Sequence, residues 1–351
     1  MAKLWQRSRT EDGQSQLAEA DLSALRLGRP SVIFLSGFMT TDKQPGFIAG
    51  ALKRLEELLS HRPGDKAPVD LYAWSHTNLR NVFNLAAYNI CPQSRYSKAA
   101  QKLAAGVILP LVAENFALDA AGNAQGKPLP LEQARKHLRN VTFFGYSAGT
   151  VVGQECYNAS LVLMKKIGYA GDTARDLLQE VVMISAGNMS RPTQERNRFT
   201  TLYLLASNDR LIRAKNRIWR PLKTLFARYA RHLNIKRLSR TSAMISAAVT
   251  KQKWEWRQNN DGKAEKKKIS QLIPSWTMIR SYHELPHYMT HDESLSQFAK
   301  IVQYGLSNAL LRQAKTDPFD LVAPPPGTPE QDAAKFRARI ARARVADNVR
   351  I

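Results

Sequence analysis

Cysteine is nearly absent from this chain: Cys91 and Cys156 are the only two in 351 residues. Two thiols cannot build the disulfide framework of a small secreted domain, so an ordinary hydrophobic core must supply the stability. The chain is compatible with a reducing compartment. Long apolar runs are missing as well. No stretch approaches the roughly 18 uninterrupted apolar residues that argue for a membrane-spanning helix. The opening Met1-Ala2-Lys3-Leu4-Trp5-Gln6-Arg7 lacks the apolar core of a secretory signal peptide. These absences lead us to expect a cytoplasmic protein, or one lying on a membrane surface, and are compatible with leaderless export. Carboxylates are also scarce, with 29 Asp and Glu against 52 Lys and Arg, for a formal net charge of +23. A field of that sign draws anionic partners such as nucleic acid or acidic lipid head groups, and it dictates nothing about fold.

What is present is a rhythm of short apolar runs and longer helical patterns. Strands are expected at residues 31–35, 69–74, 141–144, 181–185, 201–205 and 276–280, each a near-continuous run of β-formers. Helices are expected at about 46–60, 96–118, 148–166 and 292–314, with a loop at 122–130. Strands that are apolar on both faces and alternate with helices predict an α/β fold: a doubly wound, mostly parallel sheet covered on both sides. Residues 1–29 are polar and read as an N-terminal extension or short helix. Residues 30–209 and 275–313 read as the core. Residues 314–351 contain Pro324-Pro325-Pro326-Gly327-Thr328-Pro329, a semi-rigid spacer, before a short basic helix around 333–345.

Residues 210–274 stand outside the rhythm, because they separate two expected strands by far more than the usual connection. Residues 210–240 carry eleven Lys and Arg and no acidic residue. Leu222, Leu225, Phe226, Tyr229 and Leu233 recur there at helical spacing after Pro221. The pattern predicts a basic amphipathic helix and marks 210–274 as a basic helical cap.

The sharpest local signal is Gly145-Tyr146-Ser147-Ala148-Gly149, lying between an expected strand and an expected helix. A serine at the tip of so tight a turn takes a strained backbone conformation. Glycines two residues before and two after remove the Cβ atoms that would collide. The hydroxyl is thereby lifted clear of the sheet at the positive end of a helix, and the Ala148 N–H faces the same space as an oxyanion donor. The plainer reading is a strand-ending glycine turn whose serine caps the helix.

With this motif in this setting, the chain resembles the α/β-hydrolase superfamily of serine esterases and lipases, over roughly residues 30–209 and 275–313. The resemblance implies a nucleophile, an acid and a histidine in that chain order, on successive loops at one edge of the sheet. Ser147 is then the nucleophile. Asp209 falls in the loop after the strand at 201–205 and is the candidate acid, its plainer reading being a turn aspartate paired with Arg210 or Arg213. Three histidines crowd the loop after the last expected strand, His283, His287 and His291. His287 is favoured as the base because it lies in mid-loop after Pro286 and two residues before Met289, and the other two stay open. Three imidazoles at four-residue spacing also suit a metal site, but Pro286 breaks the single helix that would align them, so no metal or cofactor is expected. The superfamily takes a second oxyanion donor from the loop after an early strand. Here that loop reads Leu35-Ser36-Gly37-Phe38-Met39, with Ser36 where histidine is common, and the Phe38 N–H is the candidate, with Met39 next.

These positions predict hydrolysis of a carboxylic ester, small or lipid. The basic segment at 210–240 tilts the expectation towards an acyl or lipid substrate and an anionic membrane surface. The competing class is a binding module on a hydrolase-like scaffold, using residues 210–240 and Arg337, Arg339, Arg342 and Arg344. Nucleic acid is the weaker partner, since no zinc-finger spacing or stacking aromatic motif accompanies the scattered basic residues.

Overall fold

The computed structural model describes residues 2–9, 15–22, 25, 27–37, 45–60, 68–76, 96–118, 124–189, 198–206, 234–247, 285–289, 297–312, 315–324, 328 and 330–348. The protein is α/β. Nine strands form one sheet: β1 (Lys3–Arg9), β2 (Ser15–Ala20), β3 (Ser31–Leu35), β4 (Asp70–Ser75), β7 (Val141–Tyr146), β8 (Val182–Ala186), β9 (Thr200–Ala206), β10 (Asn234–Ser239) and β11 (Ser242–Ala247). Across the sheet they run β10-β11-β9-β8-β7-β3-β4-β1-β2. From β11 to β4 every neighbouring pair is parallel, and the antiparallel pairings are confined to the two edges. A separate two-stranded ribbon pairs β5 (Ala113–Leu118) with β6 (Ala124–Pro128).

Every residue of β3 is buried, which is why five consecutive β-formers read as a central strand. Alternate side chains enter different layers. Ile33, Leu35 and Phe143 face α2, α3 (Leu131–Leu138), α4 (Gly149–Lys166) and α5 (Gly171–Leu178). Here α2 is the continuous helix formed by Lys98–Leu103, a π turn at Ala104–Ile108, and Leu109–Val112. Val32, Phe34 and Phe144 face α1 (Pro45–Ser60), α6 (Pro286–Met289) and α7 (Gln297–Leu311). Phe34 and Phe144 stack there at 6.1 Å. Helix α1 shows how local pattern selects its face: Ile48, Ala51, Leu52, Leu55, Leu58 and Leu59 are buried, while Lys53 and Glu57 are exposed. Gln303 of α7 donates to the Leu58 carbonyl at 3.2 Å and ties the two helices together.

Four expectations are corrected. The N-terminal extension is a β-hairpin that widens the sheet, because Leu4 and Trp5 point into opposite layers and β1 pairs with β4. The helix begun at Lys98 stops at Val112, and residues assigned to its end and to the following loop form the ribbon of β5 and β6. Within the expected helical cap, residues 234–239 and 242–247 are strands, and β11 is the parallel neighbour of β9. Arg237 explains how so basic a stretch is accommodated: both carboxylate oxygens of Asp317 receive its guanidinium at 2.8 and 2.9 Å, and Phe319 lies beneath it. The remaining basic segment at 210–233 and the expected strand at 276–280 lie outside the described residues. The basic terminal helix is longer than expected, α8 (Glu330–Asn348). It packs on the body through Ala333, Phe336 and Ile340 rather than projecting from it. Among the described residues no helix is long and apolar enough to cross a membrane.

Candidate active site

Strand order places the site before any side chain is considered. The chain lays β4 on one side of β3 and then returns to lay β7 on the other. Connections diverge at that point, and open parallel sheets bind their ligands in the crevice outside the carboxyl ends of the strands there, which here are β3 and β7. The Gly145–Gly149 turn caps that crevice.

Ser147 has φ +53°, one of two non-glycine residues with positive φ among those described. A serine pays for this left-handed conformation in steric strain, so the surroundings must hold it there. They do so on three sides. Its N–H donates to the Ala186 carbonyl at the end of β8, at 3.0 Å. Its carbonyl accepts from both the N–H and the hydroxyl of Thr150, at 3.1 and 2.6 Å. That Thr150 hydroxyl also accepts from the Met189 N–H at 3.0 Å, pinning the loop after β8 to the turn. Thr150 is a brace that sequence reasoning missed, although its position three residues after the serine is the spacing from which a hydroxyl reaches back to a carbonyl.

The glycines are needed for close approach. A Cβ at Gly149 would stand 2.1 Å from the Leu35 carbonyl oxygen and 2.7 Å from that of Ser36. The first turn of α4 is therefore pressed against the main chain at the end of β3. A Cβ at Gly145 would meet the Met183 methyl at 2.9 Å and the Thr150 Cα at 3.2 Å. Ala148 precedes the first helical residue, where N–H groups have no intrahelical acceptor and the helix dipole is positive. On the opposite wall, the space beside Gly37 is bounded by the Tyr146 ring and the Ser147 Cβ. Ser147 itself is 6% exposed.

The structure brings part of the expected constellation to this edge. His287 lies in α6, and its neighbours Leu285, Tyr288 and Met289 are buried in the layer of α1 and α7. The Tyr288 hydroxyl accepts from the Ala206 N–H at 3.4 Å. Ala206 ends β9, so α6 is anchored at the carboxyl edge, next to the strand that leads towards Asp209. Sequence reasoning did not pick out Tyr288, whose adjacency to His287 was its one available signal. Asp209, Phe38, His283 and His291 lie outside the described residues.

A second group missed from sequence sits on the same edge. His76 follows β4 and is buried, with a ring nitrogen 3.5 Å from the Ser36 hydroxyl. Burial pulls its pKa down to about 4, opposed by a hydrogen bond to the Trp74 carbonyl, so the imidazole is neutral at neutral pH.

No protein-family model and no curated protein matches this chain.

Proposed function

We propose that the protein is a serine hydrolase of the α/β-hydrolase type that cleaves carboxylic esters, with a lean towards acyl or lipid esters. One observation carries the reading. Ser147 is a non-glycine residue held at positive φ, on a glycine-flanked strand-to-helix turn, at the crevice where the strand order reverses. A serine serving only as a helix cap has no need of that strain, which lifts a hydroxyl off the sheet towards a ligand.

In the proposed reaction the Ser147 hydroxyl oxygen attacks the ester carbonyl carbon while His287 takes its proton. Asp209 orients the imidazole and stabilises the imidazolium. The Ala148 and Phe38 N–H groups receive the oxyanion. Collapse of the tetrahedral intermediate breaks the ester C–O bond, and the departing alkoxide takes the proton from His287. Water then adds to the acyl-enzyme by the same route and releases the acid and Ser147.

Treating the protein and Ser147→Ala with a fluorophosphonate reagent, and following nitrophenyl esters of increasing chain length, tests the reading. Wild-type labelling that the variant loses, with ester turnover reduced at least 10³-fold, is the expected result on the scale of nucleophile removal. Equal turnover in the two proteins rules out Ser147 as nucleophile. Replacing His283, His287 and His291 singly by Asn assigns the base, with the largest loss of turnover expected at His287.

A further inference from the structure

The wall of the crevice facing Ser147 is the stretch Ser36–Gly37, and it is held from behind. The Ser36 N–H donates to the Trp74 carbonyl at 3.1 Å. The His76 ring makes a hydrogen bond to that same carbonyl, and its Nδ1 lies 3.5 Å from the Ser36 hydroxyl. The carbonyl at the end of β4 thus gathers both the main chain of Ser36 and the imidazole that contacts the Ser36 side chain. On the front side, the Ser36 carbonyl oxygen is 2.7 Å from where a Cβ at Gly149 would stand, and the space at Gly37 is closed by Tyr146 and the Ser147 Cβ. One residue of backbone is caught between an imidazole and the nucleophile turn.

Resting on the hydrolase reading above, we propose that His76 is a positioning residue. Through Ser36 it fixes the main chain that leads to the second oxyanion donor, relative to Ser147. Three features carry this. The histidine comes from the strand next to β3, not from the chain segment it steadies, so it adds a side-chain link beyond Leu35 and Trp74, the last pair of the β3–β4 register. It is buried, and burying an imidazole without using its polar atoms is costly. Its Ser36 contact is long for a hydrogen bond, as catalytic contacts often are before a ligand closes the site. A tetrahedral intermediate needs its donors fixed to a fraction of an ångström, whereas ground-state binding of an ester does not. Loss of His76 should therefore lower kcat and leave KM nearly unchanged.

The test uses the full-length protein with His76→Phe, His76→Asn and Ser36→Ala. Fluorophosphonate labelling rates, kcat and KM for a nitrophenyl ester, and thermal unfolding are measured on each. The expected result is labelling and kcat about 10- to 100-fold lower in His76→Phe and Ser36→Ala at near-constant KM. His76→Asn, which retains a hydrogen-bonding atom near the Nδ1 position, should recover most of that loss. If the first two variants label at the wild-type rate, His76 is not a positioning residue, and the hydrolase reading still stands. Equal loss in His76→Asn and His76→Phe assigns the residue to filling space and overturns the proposal. Should His76→Phe fail to fold, Ser36→Ala, which removes a single oxygen atom, carries the test. Wild-type protein that is folded but never labelled at Ser147 removes the hydrolase reading, and this proposal with it.

Discussion

A single missing methyl group sets the geometry of the turn. At Gly149 the atoms a Cβ would strike are the main-chain oxygens of Leu35 and Ser36, which cannot move without bending β3. At Gly153, one turn later in α4, the nearest atoms are the methyl and sulfur of Met183, at 2.4 and 2.7 Å, at the flexible end of a side chain. The two glycines therefore predict different outcomes for the same substitution. Gly149→Ala is expected to cost about 3 kcal/mol, the upper end of overpacking effects, and to abolish fluorophosphonate labelling. Gly153→Ala is expected to cost roughly 1 kcal/mol and to leave labelling measurable. Urea unfolding of the pair checks the order, and equal destabilisation would mean that β3 yields more easily than its buried position allows. Gly145, Ser147 and Gly149 were legible as a site in the sequence because their spacing is local. His76, Thr150 and Tyr288 were not. His76 and Ser36 are 40 residues apart, and only the pairing of β3 with β4 brings them together.

Among elements, the edge of the sheet opposite the crevice is organised around one carboxylate. Glu180, just before β8, is 1% exposed and accepts from Arg135 at 3.1 Å and from Arg139 at 3.0 Å, both from the α3 region. Its main-chain carbonyl accepts from Arg312, which follows α7. The burial of Arg312 brings its pKa down to about 10, with the Glu180 charge opposing the fall. Two helices thus converge on a group that has little water of its own. Glu180→Ala should destabilise by about 3 kcal/mol, because it takes the counter-charge from buried Arg312 and the partner from Arg139, while Arg135 keeps Asp176. The folded fraction should label at Ser147 as the wild type does, since the node lies at the other end of β7 and β8. A stability loss below 1 kcal/mol would show that solvent reaches the node. The elements themselves were unevenly readable. The parallel strands announce themselves because burial on both faces makes them apolar throughout. In β1 and β10 the polar positions obscured the strand period, and the partners of Arg7 and Arg237, Glu56 and Asp317, lie 49 and 80 residues away. Arg237 of the basic run pairs with a carboxylate far along the chain, and nothing local in the sequence announces that pairing.

At the scale of the whole molecule, buried His76 links folding to acidity. The unfolded chain takes up the imidazole proton near pH 6.5, whereas the folded protein resists it until about pH 4. Between those values the unfolded state binds more protons, so stability falls as the pH is lowered through the window and levels off below it. The full loss is on the order of 3 kcal/mol. His76→Asn should remove that part of the acid slope, as read from denaturant midpoints at a series of pH values. An unchanged slope would mean that the native histidine is already protonated. The sheet's width has a different consequence. Strand β10 ends the ladder among the described residues, and its Ile235 lies in the layer that α8 covers with Phe336 and Ile340. A chain cut before residue 330 would uncover Ile235 beside a strand that has no outer ladder partner among the described residues, and an unpaired strand edge is where sheets grow from one molecule into the next. The basic terminal helix keeps that apolar contact out of water by laying Phe336 and Ile340 in the same layer as Ile235.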